Sequence, residues 1–367
     1  MQKNIKENQN LNNSGDNKAQ LLTYEQVITK TASNRAILLG NGFSMAYNKE
    51  RFSFTSLLGS ALDKGIIKHN GAVCKLFKSL RTCDFEYVIK LLEDSTLVLA
   101  AYGKQEISEI KKDAMNLKEH LVQTITNNHP DKCTSITTEE YENCKKFISQ
   151  FDLIYTLNYD LLLYWVIVKM VEEENFEITD GFTKNEQDNN YCVYPNVGGK
   201  SFKYHHLHGG LHLFKKAPNT IKLVFKDVNI SLIDQIRENL KNNHYPVFIS
   251  EGSAQQKETK ITENPYLDHC YKSLKSLKRD LVIFGTGLKK NDEHIKKAII
   301  NSDCPNIFIG VSDTNKISEW APFEHNFKSR KVPVGQGKGK KKTEQERNVY
   351  YYDYHTVDIW GHNGNTK

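Results

Sequence analysis

Ala36-Ile37-Leu38-Leu39, running straight into Gly40-Asn41-Gly42-Phe43-Ser44, sets the reading of the whole chain. A short apolar run stopped by a Gly-x-Gly turn reads as a strand of a parallel sheet with helices over both faces. Leu153-Ile154-Tyr155, Val247-Phe248-Ile249, Leu281-Val282-Ile283-Phe284 and Ile307-Phe308-Ile309 repeat the pattern, each followed by a turn residue or a small polar cluster. A further strand is expected at Tyr204, and Val349-Tyr350-Tyr351-Tyr352, which alternates poorly, reads as an edge strand.

From about Phe54 to Gln150 the period becomes helical. Phe85, Val88, Leu91 and Leu92 share one face behind a capping Asp84, and Ile107, Ile110, Ala114 and Leu117 repeat the spacing. The stretch is too long for one crossover and predicts a helical subdomain inserted after the first βα unit. Glu172 to Lys203 is polar and turn-rich and is expected to be irregular surface. The fold class is therefore α/β: a Rossmann-like, doubly wound parallel sheet with an inserted helical subdomain. Met1 to Gln20, rich in Asn, Lys and Gln, reads as a disordered tail before a domain spanning residues 21–367.

Composition excludes several classes. Hydrophobic residues at 38% suffice for a core, and no apolar run approaches the roughly 20 residues of a membrane span. The polar N-terminus lacks a secretory pattern, so a cytoplasmic protein with no membrane contact is expected. Seven scattered cysteines with no C-x-x-C pair argue against a disulfide framework and against a thiolate zinc ribbon. The net charge of +6 is local: Lys328 to Arg347 hold eight Lys or Arg and two Glu, so the rest of the chain is neutral. The core of that segment, Gly335 to Lys342, reads as a solvated loop, with a phosphate or nucleic-acid contact as the alternative.

In doubly wound sheets ligands bind beyond the carboxyl ends of the strands. Gly40-Asn41-Gly42-Phe43-Ser44 offers a bare turn and a helix N-terminus to a pyrophosphate, with a hydroxyl from Ser44, although an ordinary βα turn would look the same. Asn158, in Thr156-Leu157-Asn158-Tyr159-Asp160, suits ribose hydroxyls or a water; taken singly, Asn158 or Asp160 reads first as the cap of the helix Leu161 to Val171, with Asp160 as that cap while Asn158 faces the ligand. The tract Tyr204 to His212 holds four of the thirteen histidines. His206 and His208 on one side of a strand raise a metal site, but the tract offers no third ligand, so none is expected. His208, before two glycines, is the better general base, and His205 and His212 read as surface or packing residues. Gly285-Thr286-Gly287-Leu288 gives another tight strand end with Thr286 able to reach a phosphate, and Asp292 reads as a helix cap or a ribose contact.

These four loops, in this order, resemble the signatures of the sirtuin-like superfamily: G-A-G-x-S, T-Q-N-x-D, H-G and G-T-S-L. The chain is most similar to a bacterial subset, some of it carried in antiphage defence islands, with L-G-N-G-F-S, T-x-N-Y-D, L-H-G and a late I-W-G like Ile359-Trp360-Gly361. The resemblance implies cleavage of NAD⁺ to nicotinamide and ADP-ribose by Asn158 and His208. Gly40, Asn41, Gly42, Phe43, Ser44, Asp160, Gly285, Thr286 and Gly287 would then bind the nucleotide, without a metal. It also implies homo-oligomers and a neighbouring defence ATPase as partners. The four-cysteine zinc module and D-F-R segment of deacylases are absent; Asp84-Phe85-Glu86 comes later and ends in Glu, and Leu157 replaces Gln. Deacylation is thereby disfavoured, and a silent NAD⁺ or ADP-ribose sensor and a nucleic-acid-associated subunit are the rival readings.

Overall fold

The computed structural model describes residues 21–104, 107–174, 179–186, 191–194, 202–224, 231–249, 254–334 and 343–362. The expected tail and the Gly335 to Lys342 loop lie outside them. The strands are β1 (Arg35–Leu39), β2 (Leu153–Thr156), β3 (Thr183–Lys184), β4 (Tyr191–Tyr194), β5 (Tyr204–His206), β6 (Gly209–Lys216), β7 (Asn219–Leu223), β8 (Pro246–Phe248), β9 (Asp280–Phe284), β10 (Asn306–Val311), β11 (Val332–Val334), β12 (Thr343–Gln345) and β13 (Asn348–Asp353). The helices are α1 (Tyr24–Lys30), α2 (Gly42–Tyr47), α3 (Lys49–Phe52), α4 (Phe54–Asp63), α5 (Ala72–Ser79), α6 (Phe85–Ala101), α7 (Ile107–Asn128), α8 (Thr138–Ile148), α9 (Leu162–Glu174), α10 (Leu232–Lys241), α11 (Ala254–Thr262), α12 (Pro265–Lys275), α13 (Glu293–Asn301) and α14 (Ala321–Lys328).

Six strands form one parallel sheet in the order β13-β10-β9-β1-β2-β5. Read from β5, this is the doubly wound order 3-2-1-4-5-6, and the direction of winding reverses between β1 and β9. Alternate residues of β1 serve two cores. Ile37 and Leu39 pack with Val282 and Phe284 against Val27 of α1 and Phe147 of α8. Ala36 and Leu38 pack with Leu281 and Ile283 against Leu274 of α12 and Ile299 of α13. Burial on both faces is why β1 reads as an unbroken apolar run. β13 is the edge strand, as its sequence suggests.

Between β1 and β2 the described chain is helical from α2 to α8, and Asp84 caps α6 through the Tyr87 amide. A second sheet, β3-β4-β7-β6-β8, is antiparallel and lies in the sequence between β2 and β9. It corrects two expectations. Val247-Phe248-Ile249 contributes to an antiparallel edge beside β6 rather than to the parallel sheet, because an apolar run this short carries no mark of its partner's direction. Glu172 to Lys203, expected to be irregular, supplies β3 and β4, two short strands of two and four residues set in a polar stretch, with side chains largely half-buried or exposed.

The basic segment is also divided. Lys328 pairs with Glu324, whereas Arg347 is buried, donates to the carbonyls of Ile299, Ile300 and Cys304, and stacks on Phe327. Arg347 thus caps the end of α13 and belongs to no solvated patch. Arg347→Met is expected to cost about 1–3 kcal/mol by removing the Arg347 donor from Cys304 O, while Ile299 O keeps the Ser302 donors and Ile300 O keeps Arg330; an unchanged urea midpoint would contradict this. All seven cysteines are free thiols, and among the described residues no helix is long and apolar enough to cross a membrane.

Candidate functional site

The two glycine loops meet where the winding reverses. The Gly40 amide donates to Phe284 O at 2.9 Å and the Gly42 amide to Gly285 O at 2.8 Å. A Cβ on Gly42 would stand 2.4 Å from Gly285 Cα, one on Gly40 would stand 2.4 Å from Thr286 Cβ, and Gly285 itself has φ +73°. The glycines are therefore required by the approach of one loop to the other, and two amides expected to face a phosphate are used in stitching them. The following helix, α2, has only six residues. Asn41 donates through Nδ2 to Phe52 O and so holds α3. Phe43 is fully buried against Trp360, whose Nε1 donates to Phe43 O at 3.1 Å, giving the Ile359-Trp360-Gly361 segment a structural role. Thr286 Oγ1 accepts from the Leu288 amide, and Gly287 is exposed.

Ser44, expected at a pyrophosphate, is 0% exposed and links two other loops. Its Oγ donates to Asp160 Oδ2 at 2.5 Å and accepts from Asn158 Nδ2 at 2.9 Å. Asp160 Oδ1 accepts from the Leu162 amide, so Asp160 is the cap of α9; burial raises its pKa while Ser44 holds it down. Both of its oxygens accept hydrogen bonds from within the protein. Among the described residues no hydrogen bond to Asn158 Oδ1 is formed.

Thr156 pairs with His206 across β2 and β5, so Asn158 and His208 each stand two residues beyond paired positions on neighbouring strands. The loops are tied further: the Ile249 amide donates to His208 O, and the Tyr159 hydroxyl donates to Ile249 O. His208 is 3% exposed, and its Nε2 lies 3.0 Å from His294 Nε2 and 4.0 Å from Asp292 Oδ1. Burial, then Lys257 and His294, push its pKa well below the usual imidazole range, so the ring is neutral at pH 7. Asp292, expected to cap the next helix, makes no cap bond and turns toward this cluster.

Residues 37–351 match the model of a family described as Domain of unknown function (DUF4917). The chain belongs to the DUF4917 family. No curated protein matches it. In this DUF4917 protein the matched span includes every residue of the cluster.

Three members of the site escape sequence reasoning. Lys257 of α11 is 0% exposed and pairs with Glu86 Oε2 at 3.0 Å and Asp292 Oδ1 at 3.5 Å. Burial opposes its charge, yet the two carboxylates outweigh burial and its pKa is raised. Glu86 Oε1 of α6 also lies 3.1 Å from the Tyr159 hydroxyl oxygen; burial raises its pKa against the pull of Lys257. His294 is the third. Asp292-x-His294 was its one local signal, whereas Lys257 sits in a polar helix with none.

The other histidines of the tract pack. His206 and His208 do not share a site: His206 contacts Tyr204 and His212. His205 stacks on Tyr155 and His212 on Tyr164, both buried rather than on the surface.

Proposed function

We propose that this DUF4917 protein is a sirtuin-like NAD⁺ glycohydrolase. The observation that carries the reading is the placement of Asn158 and His208 at equal height beyond adjacent parallel strands, next to the winding reversal where such sheets take nucleotides. Breaking the nicotinamide–ribose bond passes through an oxocarbenium-like state, and nicotinamide leaves as a neutral pyridine, so no acid is needed at the leaving group. Asn158 orients a ribose hydroxyl or the attacking water through its Oδ1. His208, held neutral, takes the proton from that group. Ser44 acts as the positioning residue that fixes the Asn158 carboxamide. Because Asn158 and His208 are 8% and 3% exposed, the covering loops must part to admit substrate.

The test is nicotinamide release from NAD⁺ by purified protein. Asn158→Ala and His208→Ala are each expected to lower it by at least about 100-fold while the melting temperature stays within a few degrees. Undiminished release in either folded variant refutes the assignment. The closed site also suits a sensor that binds NAD⁺ or ADP-ribose without turnover, which tight binding without nicotinamide release would establish. By resemblance, the setting would be NAD⁺ depletion in antiphage defence, gated by self-assembly or a partner ATPase.

A further inference from the structure

We propose that His208, Asp292 and His294 form a binding site for a divalent transition metal with the ligand preferences of zinc. The donors come from two distant parts of the chain: His208 follows β5, and Asp292 and His294 follow β9. Their ligand atoms all lie within 4.8 Å of one another, with Nε2···Nε2 at 3.0 Å and Nε2···Oδ1 at 4.0 Å. Ligand atoms at about 2.0–2.1 Å from a tetrahedral zinc stand roughly 3.3 Å apart. Shifts of less than about 1 Å therefore close the triangle on an ion. Two imidazoles and one carboxylate favour zinc over the hard cations that select oxygen, and three protein ligands leave a fourth position open.

The two facing Nε2 atoms share a single hydrogen, and an ion can replace it. Each ring then carries its hydrogen on Nδ1, so no proton is released. The local charge is compatible: Glu86 and Asp292 both pair with the Lys257 ammonium, and a divalent ion would meet carboxylate charge beside it. Lys257, 3.5 Å from Asp292 Oδ1, is the opposing charge that limits affinity. The sequence pointed away from a metal because the histidine tract holds no third ligand; the fold brings that ligand from after β9. One consequence rests on the proposed function: an ion on His208 Nε2 occupies the lone pair of the base and so inhibits NAD⁺ cleavage.

Full-length protein treated with chelator and titrated with Co²⁺ alone is expected to bind about one equivalent and to develop visible d–d bands that Zn²⁺ bleaches. His294→Ala and Asp292→Asn should each weaken this at least about tenfold. Zn²⁺ should also raise the melting temperature of the unaltered protein, a readout that needs no variant. The proposal is overturned by absence of d–d bands in the unaltered protein, by a near-ultraviolet thiolate band reporting cysteine ligation, or by an unchanged titration in folded variants. Cobalt bands in a protein that leaves NAD⁺ intact would keep the metal site and remove the hydrolase. Nicotinamide release without cobalt bands would do the reverse.

Discussion

Gly42→Ala is expected to destabilise the protein by about 3 kcal/mol or more, at the upper end of overpacking costs. The reason is the neighbour. The new Cβ would stand 2.4 Å from Gly285 Cα, 3.1 Å from Gly285 O and 3.2 Å from Gly285 C. All three are backbone atoms, so no side-chain rotation relieves the clash, and either the β1 and β9 loops separate or the strands beneath them shift. Separation would break the Gly42 amide bond to Gly285 O and move Ser44, two residues on, with the Asn158 carboxamide that it holds. Gly59→Ala in α4 is the control. Nothing lies within 4 Å of its Cβ, and there the substitution should be neutral or stabilising by about 0.5–1 kcal/mol. Urea unfolding of the two variants decides: equal midpoints would mean that the close approach of the loops is wrong.

Acidification is expected to unfold the protein through imidazoles buried without charge. His129 Nε2 accepts from the Leu161 amide at 3.0 Å, which places the hydrogen on Nδ1, 2.9 Å from Pro130 O. Burial pushes its pKa down to about 4, and that of His205, also by burial, down to about 3. In the unfolded chain both titrate near 6.5. Between pH 6.5 and 4 the unfolded state binds a proton that the folded state refuses, so stability is full above 6.5 and falls as pH drops. Each ring contributes a slope of about 1.4 kcal/mol per pH unit, or about 2 kcal/mol by pH 5. Below about pH 4 His129 protonates in the fold and its slope flattens. Glu86 and Asp160, both raised, act in the opposite sense, so the contribution of one imidazole is best isolated by substitution. His129→Gln places an amide oxygen where Nε2 accepts, without a titrating group. Its stability should fall less steeply than that of the unaltered protein by about 1.4 kcal/mol per pH unit. Parallel pH profiles from urea unfolding would show that His129 is not held neutral.

How much could be read in advance follows from where each signal lives. β1, β2, β9 and β10 were legible because burial on both faces writes a continuous apolar run into the sequence. The second sheet was not, since β3 is only two residues long, β4 is a four-residue run inside a polar, turn-rich stretch, and β6 opens with Gly209-Gly210, which reads as an end rather than a beginning. At the site, Asn158 and His208 stood out as polar residues at strand ends. The internal bonds of Gly40, Gly42, Ser44 and Asp160 were not legible, because a backbone amide or a hydroxyl looks the same in sequence whether it meets a phosphate or another loop.

The sequence by itself determined the doubly wound sheet, the tight turns at its strand ends, the capped helices and the single basic segment, because each rests on patterns a few residues long. Only the tertiary structure decided what those turns are for, that Arg347 leaves the basic segment to cap a buried helix end, and which groups surround His208. Glu86 and Lys257 are 171 residues apart, and His208 and His294 are 86 apart. Pairing at such separations follows from strand order and helix placement, not from local spacing, so the charge and hydrogen bonding of the site become visible only once the chain is folded.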